Sequence, residues 1–167
     1  MSESGFMPYI KMLDPDEWTV LRDIRLSALK ESPDAFLALY EDEKEYDEAF
    51  WRSEFDRCDW HIGSENGTAI SLLGCIKENY LPDSARYLEY LWVAPEARCR
   101  GVAFDLVRYV VERLRAAGVR VAYLWVLDGN DAAVRLYRRV GFVSSNHSQP
   151  LASRPGRHEE KMQLDLS

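Results

Sequence analysis

The order of periodic segments in this 167-residue chain defines an α/β domain on a mixed sheet, with the order β-α-α-β-β-β-α-β-α-β-β. Three observations carry that reading. Short apolar or alternating segments bounded by Gly, Pro, Asn and Asp read as strands. Longer segments, above all 102–117, repeat apolar residues at helical spacing. In the second half strands and helices alternate, an order that places ligands at the strand-to-helix steps, here 93–102 and 127–131.

Met7 to Leu13 reads as the first strand. Asp14-Pro15-Asp16-Glu17 then starts a helix, with Asp14 as N-cap, Pro15 at the first helical position and Glu17 at capping-box spacing. Trp18, Leu21, Arg25, Ala28 and Leu29 follow on one face, with the Arg25 stem at its edge. Ser32-Pro33-Asp34 stops this helix. A second helix is expected over 42–56, with Tyr46, Ala49, Phe50 and Phe55 as its apolar face among many acids. Trp60 to Gly63 and Ala69 to Ile76 read as a hairpin turning at Glu65-Asn66-Gly67. Leu81 to Ser84 is a turn. Arg86 to Ala94 is the longest strand, ended by Pro95. Strict alternation along it puts Glu89 on the face of Leu91 and Val93, opposite Tyr90 and Trp92. The next helix buries Ala103, Leu106, Val107, Val110 and Leu114 and stops at Ala117-Gly118. Arg120 to Leu127 is a buried strand. Asp128 to Asp131 caps a short helix running to about Arg139, and Gly141-Phe142-Val143 begins another strand. Ser144 to Gly156 reads as a loop before a last strand, His158 to Leu166.

Composition bounds the function. With 47% hydrophobic and 29% charged residues the chain is ordinary globular material, expected to form one domain over residues 1–167. No apolar run approaches the roughly 20 residues of a membrane span, and Met1 to Pro8 lacks the marks of a signal peptide. The expectation is a cytoplasmic protein without a membrane partner. Cys58, Cys75 and Cys99, with His61, His147 and His158, make no metal-ligand spacing, so no metal is expected. The net charge of −7 argues against nucleic acid as a partner. The charge is uneven: residues 1–60 hold 16 acids and 7 bases, and residues 61–167 hold 12 acids and 14 bases. The acidic half is either a solvated surface or an approach for a cationic acceptor.

The turn Arg98-Cys99-Arg100-Gly101-Val102-Ala103 joins the longest strand to the longest helix. Its backbone N–H groups converge at the positive end of that helix, a site suited to phosphate and especially pyrophosphate. Gly101 permits close approach or positive φ, and small Ala103 lets the helix begin near a bound group. No Gly-Lys-Ser/Thr follows, and the three spaced glycines of the dinucleotide fingerprint are missing. Taken alone, these residues leave a plain surface turn open. Cys99 is the candidate for a reactive thiol, yet no base is placed beside it. Cys58 and Cys75 read as small buried hydrophobes.

The segment Leu88 to Ala103, with Trp92-Val93-Ala94-Pro95 before the turn, resembles the acetyl-CoA-binding motif of the GNAT superfamily of N-acetyltransferases, Arg/Gln-x-x-Gly-x-Gly/Ala. Asn130, Ala133, Leu136, Tyr137, Gly141 and Phe142 match a second family segment in the right order. Ser32 to Phe36 and Gln149-Pro150-Leu151 resemble one bacterial branch. The resemblance implies a GNAT-like acyl-CoA N-acyltransferase fold over nearly the whole chain, with acetyl-CoA as co-substrate. It places pyrophosphate on the backbone of Arg98, Cys99, Arg100, Gly101, Val102 and Ala103, and the pantetheine arm along Trp92 and Val93. Asn130 would contact the arm or cap the short helix. Cys99 departs from the family, which usually has glycine there.

The resemblance further implies direct attack by an amine on the thioester. The Val93 N–H would bond the carbonyl oxygen, and Tyr137 would protonate the departing thiolate, although a tyrosine at helical spacing also suits a core. Glu89 is the candidate base, with Glu78, Asp128 or a water chain as alternatives. The acceptor, a small-molecule or protein amine, would meet residues 32–40, the strand around Glu89 and the loop 144–156. The exposed edges of the last strands permit a homodimer without requiring one. Two other classes stay open: a CoA-binding sensor that transfers nothing, and an interaction module with an incidental basic turn.

Overall fold

Seven strands pair into one sheet in the computed structural model, which describes residues 8–167. They are β1 (Tyr9–Met12), β2 (Cys58–Glu65), β3 (Thr68–Ile76), β4 (Ala85–Val93), β5 (Val121–Leu127), β6 (Val143–Pro150) and β7 (His158–Asp165), in the spatial order β1-β2-β3-β4-β5-β7-β6. All neighbours are antiparallel except β4 and β5. The helices are α1 (Trp18–Glu31), α2 (Tyr40–Glu43), α3 (Glu48–Arg57), α4 (Val102–Ala116) and α5 (Asp131–Val140). The mixed-sheet expectation holds, and so does the element order apart from one short additional helix before β2. Met7 lies outside the described residues.

Local chemistry accounts for most boundaries. The capping box forms, the Asp14 N–H donating to Glu17 Oε2 at 2.9 Å. The single helix expected over 42–56 is instead two. The Asp47 carboxylate accepts from the Phe50 N–H at 3.0 Å and starts α3 afresh after the one-turn α2. The expected loop 144–156 is strand as far as Pro150. β6 is an edge strand, mostly exposed, so its polar residues carry no alternation signal, and only its pairing with β7 identifies it.

Two apolar cores sandwich the sheet. On one face α1 and α3 bury Leu21, Trp51, Trp60 and Leu72. On the other α4 and α5 bury Leu73, Leu106, Val110, Leu124, Tyr137, Phe142 and Met162. Cys58 and Cys75 go one to each core. Burial pushes both thiols up, Cys75 to about 12, as suits packing residues. Among the described residues no helix is long and apolar enough to cross a membrane.

Two irregularities of β4 shape the molecule. It pairs with β5 only at Ala85–Val121, Arg86–Ala122 and Tyr87–Tyr123. Beyond these pairs β4 stays with β3 as far as Val93–Ser71, while β5 stays with β7 as far as Leu127–Glu159, so the two parallel strands part. The second irregularity is a bulge. Trp92 faces Leu72 and Glu89 faces Gly74, leaving Tyr90 and Leu91 opposite Leu73 alone. Tyr90 takes φ 61° there.

Candidate active site

The turn after β4 is left-handed twice, at Cys99 (φ 60°) and at Gly101 (φ 78°). Gly101 is the N-cap of α4 and offers no side chain to cap it. The first N–H groups of α4 therefore have no side-chain acceptor and point at the space before the helix. A groove of about 360 Å³ opens there. Val93, Arg98, Cys99, Gly101, Val102 and Ala103 line one side, and Ala133, Leu136 and Arg139 of α5 line the other. Six residues singled out from the sequence thus share one groove.

The other three donor-binding candidates do not line it, and neither do Glu89 and Tyr137. Trp92 packs in the α1–α3 core, and its Nε1 donates to Glu31 at 3.0 Å. The Arg100 guanidinium pairs with Glu65 at 3.1 Å. Asn130 caps α5, its Oδ1 accepting from the Ala133 N–H at 3.2 Å. Arg98 lines the groove with its charge already engaged, donating to the Val93 carbonyl at 3.0 Å and to Glu31 at 2.7 Å. Hydrogen bonds from Ser32, Trp92 and Arg98 hold the Glu31 carboxyl down at about 2. Arg139 escaped the sequence reading. Its guanidinium lies 4.6 Å from the Phe104 ring centre, and among the described residues no carboxylate pairs with it. Helical spacing from Ala132 through Leu136 to Arg139 was the available signal.

Ladder geometry orients Val93. The Ala94 N–H donates to the Ile70 carbonyl at 2.8 Å. Bonded and non-bonded pairs alternate along an antiparallel ladder, so the Val93 N–H turns away from β3 toward the parted strands. The bulge corrects the expected facing of Glu89. Leu88 and Leu91 both pack on the α4 side, so the alternation breaks between them and Glu89 lies on the α1–α3 face together with Tyr90. Burial, then the nearby Glu78, raises the Glu89 carboxyl. Asp128 is bound instead to Arg157 at 2.7 Å, which lowers its carboxyl and weakens it as a base. Tyr137 sits on the inner face of α5, its ring 5.8 Å from that of Phe142, and burial pushes its phenol up. Arg154 draws the two expected acceptor segments together, donating to the carbonyls of Asp34 and Phe36.

The family model described as acetyltransferase (GNAT) family matches residues 22–142. The chain belongs to that family, and acetyl transfer from acetyl-CoA to amines is the chemistry of the family. Among curated relatives, the chain is 32% identical over 78 residues to an L-methionine sulfoximine/L-methionine sulfone acetyltransferase of Pseudomonas aeruginosa, covering 46% of this chain and 45% of that protein. It is 39% identical over 56 residues to the chloroplastic GCN5-related N-acetyltransferase 6 of Arabidopsis thaliana, covering 34% of this chain and 19% of that one. The matches thus span less than half of either relative. The fold is that of the ribosomal-protein-S18-alanine N-acetyltransferase from Escherichia coli, with TM-score 0.71, 19% identity, and 96% and 95% of the two chains covered. A structure from Salmonella typhimurium with its cofactor acetyl-CoA superposes with TM-score 0.76 at 16% identity, covering 97% and 95%.

The left-handed Cys99 stands where backbone geometry favours glycine. Cys99→Gly relieves about 1–2 kcal/mol of left-handed strain against about 0.5–1 kcal/mol of added chain entropy. A higher thermal unfolding midpoint is the expected result, read by circular dichroism.

Proposed function

We propose that the chain is an N-acetyltransferase that moves the acetyl group of acetyl-CoA to a primary amine by direct attack. The observation that carries this reading is the parting of β4 from β5 beside an uncapped helix N-terminus. Acetyl-CoA supplies the activated acyl group and a chain of amides. The parted strands supply unpaired backbone groups for those amides, and the α4 N-terminus supplies donors for the pyrophosphate. The groove fits such a group because its floor is small and apolar at Ala103 and Ala133. Arg98 and Arg100 act mainly as turn-shaping residues, since carboxylates already hold them. Of the described residues lining the groove, Arg139 is the cation without a carboxylate partner, and it meets the phosphate.

Glu89 takes the amine's proton. A raised carboxyl is a better base than an ordinary one, and the neighbouring Glu78 adds to the field that draws an ammonium in. Tyr137 protonates the thiolate; its raised phenol stays protonated well into the alkaline range. The Val93 N–H bonds the carbonyl oxygen as charge grows on it. The acceptor approaches between residues 33–36 and the loop 151–157. Its class, a primary amine of a small molecule or of a protein, suits both the L-methionine sulfoximine or sulfone named for the Pseudomonas protein and the ribosomal-protein-S18 alanine named for the Escherichia coli one.

The test is thiol release from acetyl-CoA with pooled amines. Release with at least one amine supports transfer, and CoA binding without release across the panel supports a sensor. Three variants locate the chemistry. Tyr137→Phe is isosteric in the core, so its unfolding midpoint should hold while turnover falls on the order of 100-fold, as for loss of a general acid. Glu89→Gln should remove the acidic limb of the kcat/KM profile, which in the native enzyme falls as pH drops through the raised Glu89 value. The same raised value means that the contribution of Glu89 itself to stability is fully present below the unfolded carboxylate range and is lost as pH rises through the folded value, so Glu89→Gln should not destabilise at neutral pH. Arg139→Ala should raise the CoA Kd by about 10-fold, less at high salt, as for a lost bond to a charged group; calorimetry measures it.

A further inference from the structure

The bulge in β4 is held open by a charge network from three helices, buried at Arg25, Glu43 and Glu54 and reaching the surface at Arg57. Tyr90 sits at its centre. The backbone there is left-handed, a conformation that a bulge ordinarily gives to glycine. A tyrosine in its place must be retained by its side chain. The ring is in fact fixed on every side. The Arg25 guanidinium lies 4.4 Å from its centre, the Trp60 ring lies at 5.2 Å, and Arg57 Nη2 donates to its hydroxyl at 3.1 Å. Space for it exists because residue 74, opposite Glu89, is glycine. A Cβ on Gly74 would come within 3.2 Å of the ring and 2.8 Å of Cys58 Sγ.

The arginines are fixed in turn. Arg25, from α1, is buried and forms a two-pronged pair with Glu43 of α2 at 2.6 and 2.7 Å. Arg57, at the end of α3, pairs with buried Glu54 at 3.1 Å, and Glu54 also lies 3.7 Å from Arg25. Two cations and two anions balance, so the network can stay charged inside the fold. Tyr90 joins the network to the strand that carries Glu89 and Val93.

We infer that Tyr90 is a positioning residue for acetyl transfer: clamped by Arg25 and Arg57, it holds the β4 bulge so that Glu89 faces the acceptor side while the backbone beyond it faces the parted strands. The bulge makes both orientations at once. Were Tyr90 an ordinary strand residue with no bulge, alternation would put Glu89 on the α4 side with Leu91. Because α1 leads into the 33–36 segment, the clamp also ties the wall on the acceptor side to the strand that meets the donor.

This inference rests on the proposed transfer. The experiment measures kcat, the KM for acetyl-CoA, CoA affinity by calorimetry and the unfolding midpoint in the wild type and in Tyr90→Phe, Tyr90→Leu, Arg57→Gln and the Phe/Gln double variant. Tyr90→Phe keeps the ring over Arg25 and loses one hydrogen bond, so kcat should fall about 3- to 10-fold. Tyr90→Leu loses both anchors, and kcat should fall roughly 100-fold with KM for acetyl-CoA within about 3-fold, as for a lost transition-state contact. The double variant should be no worse than either single one, because both break the same bond. Arg52→Ala, on the exposed face of α3, should leave kcat unchanged. A merely structural role would lower the unfolding midpoint and leave kcat per folded molecule intact. That result, or additive losses in the double variant, overturns the clamp. If the wild type acetylates no amine, the transfer reading fails by itself. The clamp is then decided by amide exchange in the CoA-bound protein: faster exchange at Leu91 and Val93 in Tyr90→Leu supports it, and unchanged exchange overturns it.

Discussion

β4 and β5 share three residue pairs and then separate, and the site depends on that separation. Each strand has a second partner that holds it: β3 keeps β4 to Val93, and β7 keeps β5 to Leu127. The gap costs little, because apolar side chains beneath it are already buried. Leu88 and Leu91 from one strand and Leu124 and Val126 from the other pack on the α4 side. What the gap leaves unsatisfied is backbone, and unsatisfied backbone is what an extended, amide-bearing ligand can pair with.

Charge is organised around the same gap. The two arginines of the turn are met by Glu31 and Glu65, so they brace the loop between β2–β3, α1 and α4 more than they advertise charge to solvent. The donors for an anion are backbone N–H groups, which keep their direction without a side chain to order. Part of the acidity of residues 1–60 has the same structural use. Glu31, Glu43 and Glu54 are taken up by arginines, whereas Glu41, Asp42, Glu45 and Glu48 lie on the surface. Neither a purely solvated face nor a purely steering one describes it.

Much of the frame was legible residue by residue. Asp14, Pro15 and Glu17 announced their capping box, Asn66-Gly67 its hairpin, and Gly101 its left-handed turn, because each is a local decision of the backbone. The run from Leu88 to Ala103 located the turn and the strand before it. Reading failed where the deciding partner is distant. Asp47 divides a helix that its apolar spacing made continuous. Polar β6 is a strand because β7 lies alongside it. Arg139 showed only helical spacing, its place coming from the packing of α5 beside α4, and Arg154 gave no local cue, since carbonyls some 120 residues away position it.

The amino-acid sequence by itself determined the order of strands and the position of the phosphate-type turn, which follow from short-range steric and hydrogen-bonding preferences, and its two motif segments carried the resemblance to the family. The tertiary structure alone decided the facing of the functional groups. Strict alternation assigns Glu89 to the wrong side of β4. It stands on the α1–α3 side because Tyr90 is taken up in a bulge, and that residue is held by arginines from two helices. A period-two rule cannot contain such a step: the left-handed backbone at Tyr90 is offset only by contacts made across the fold.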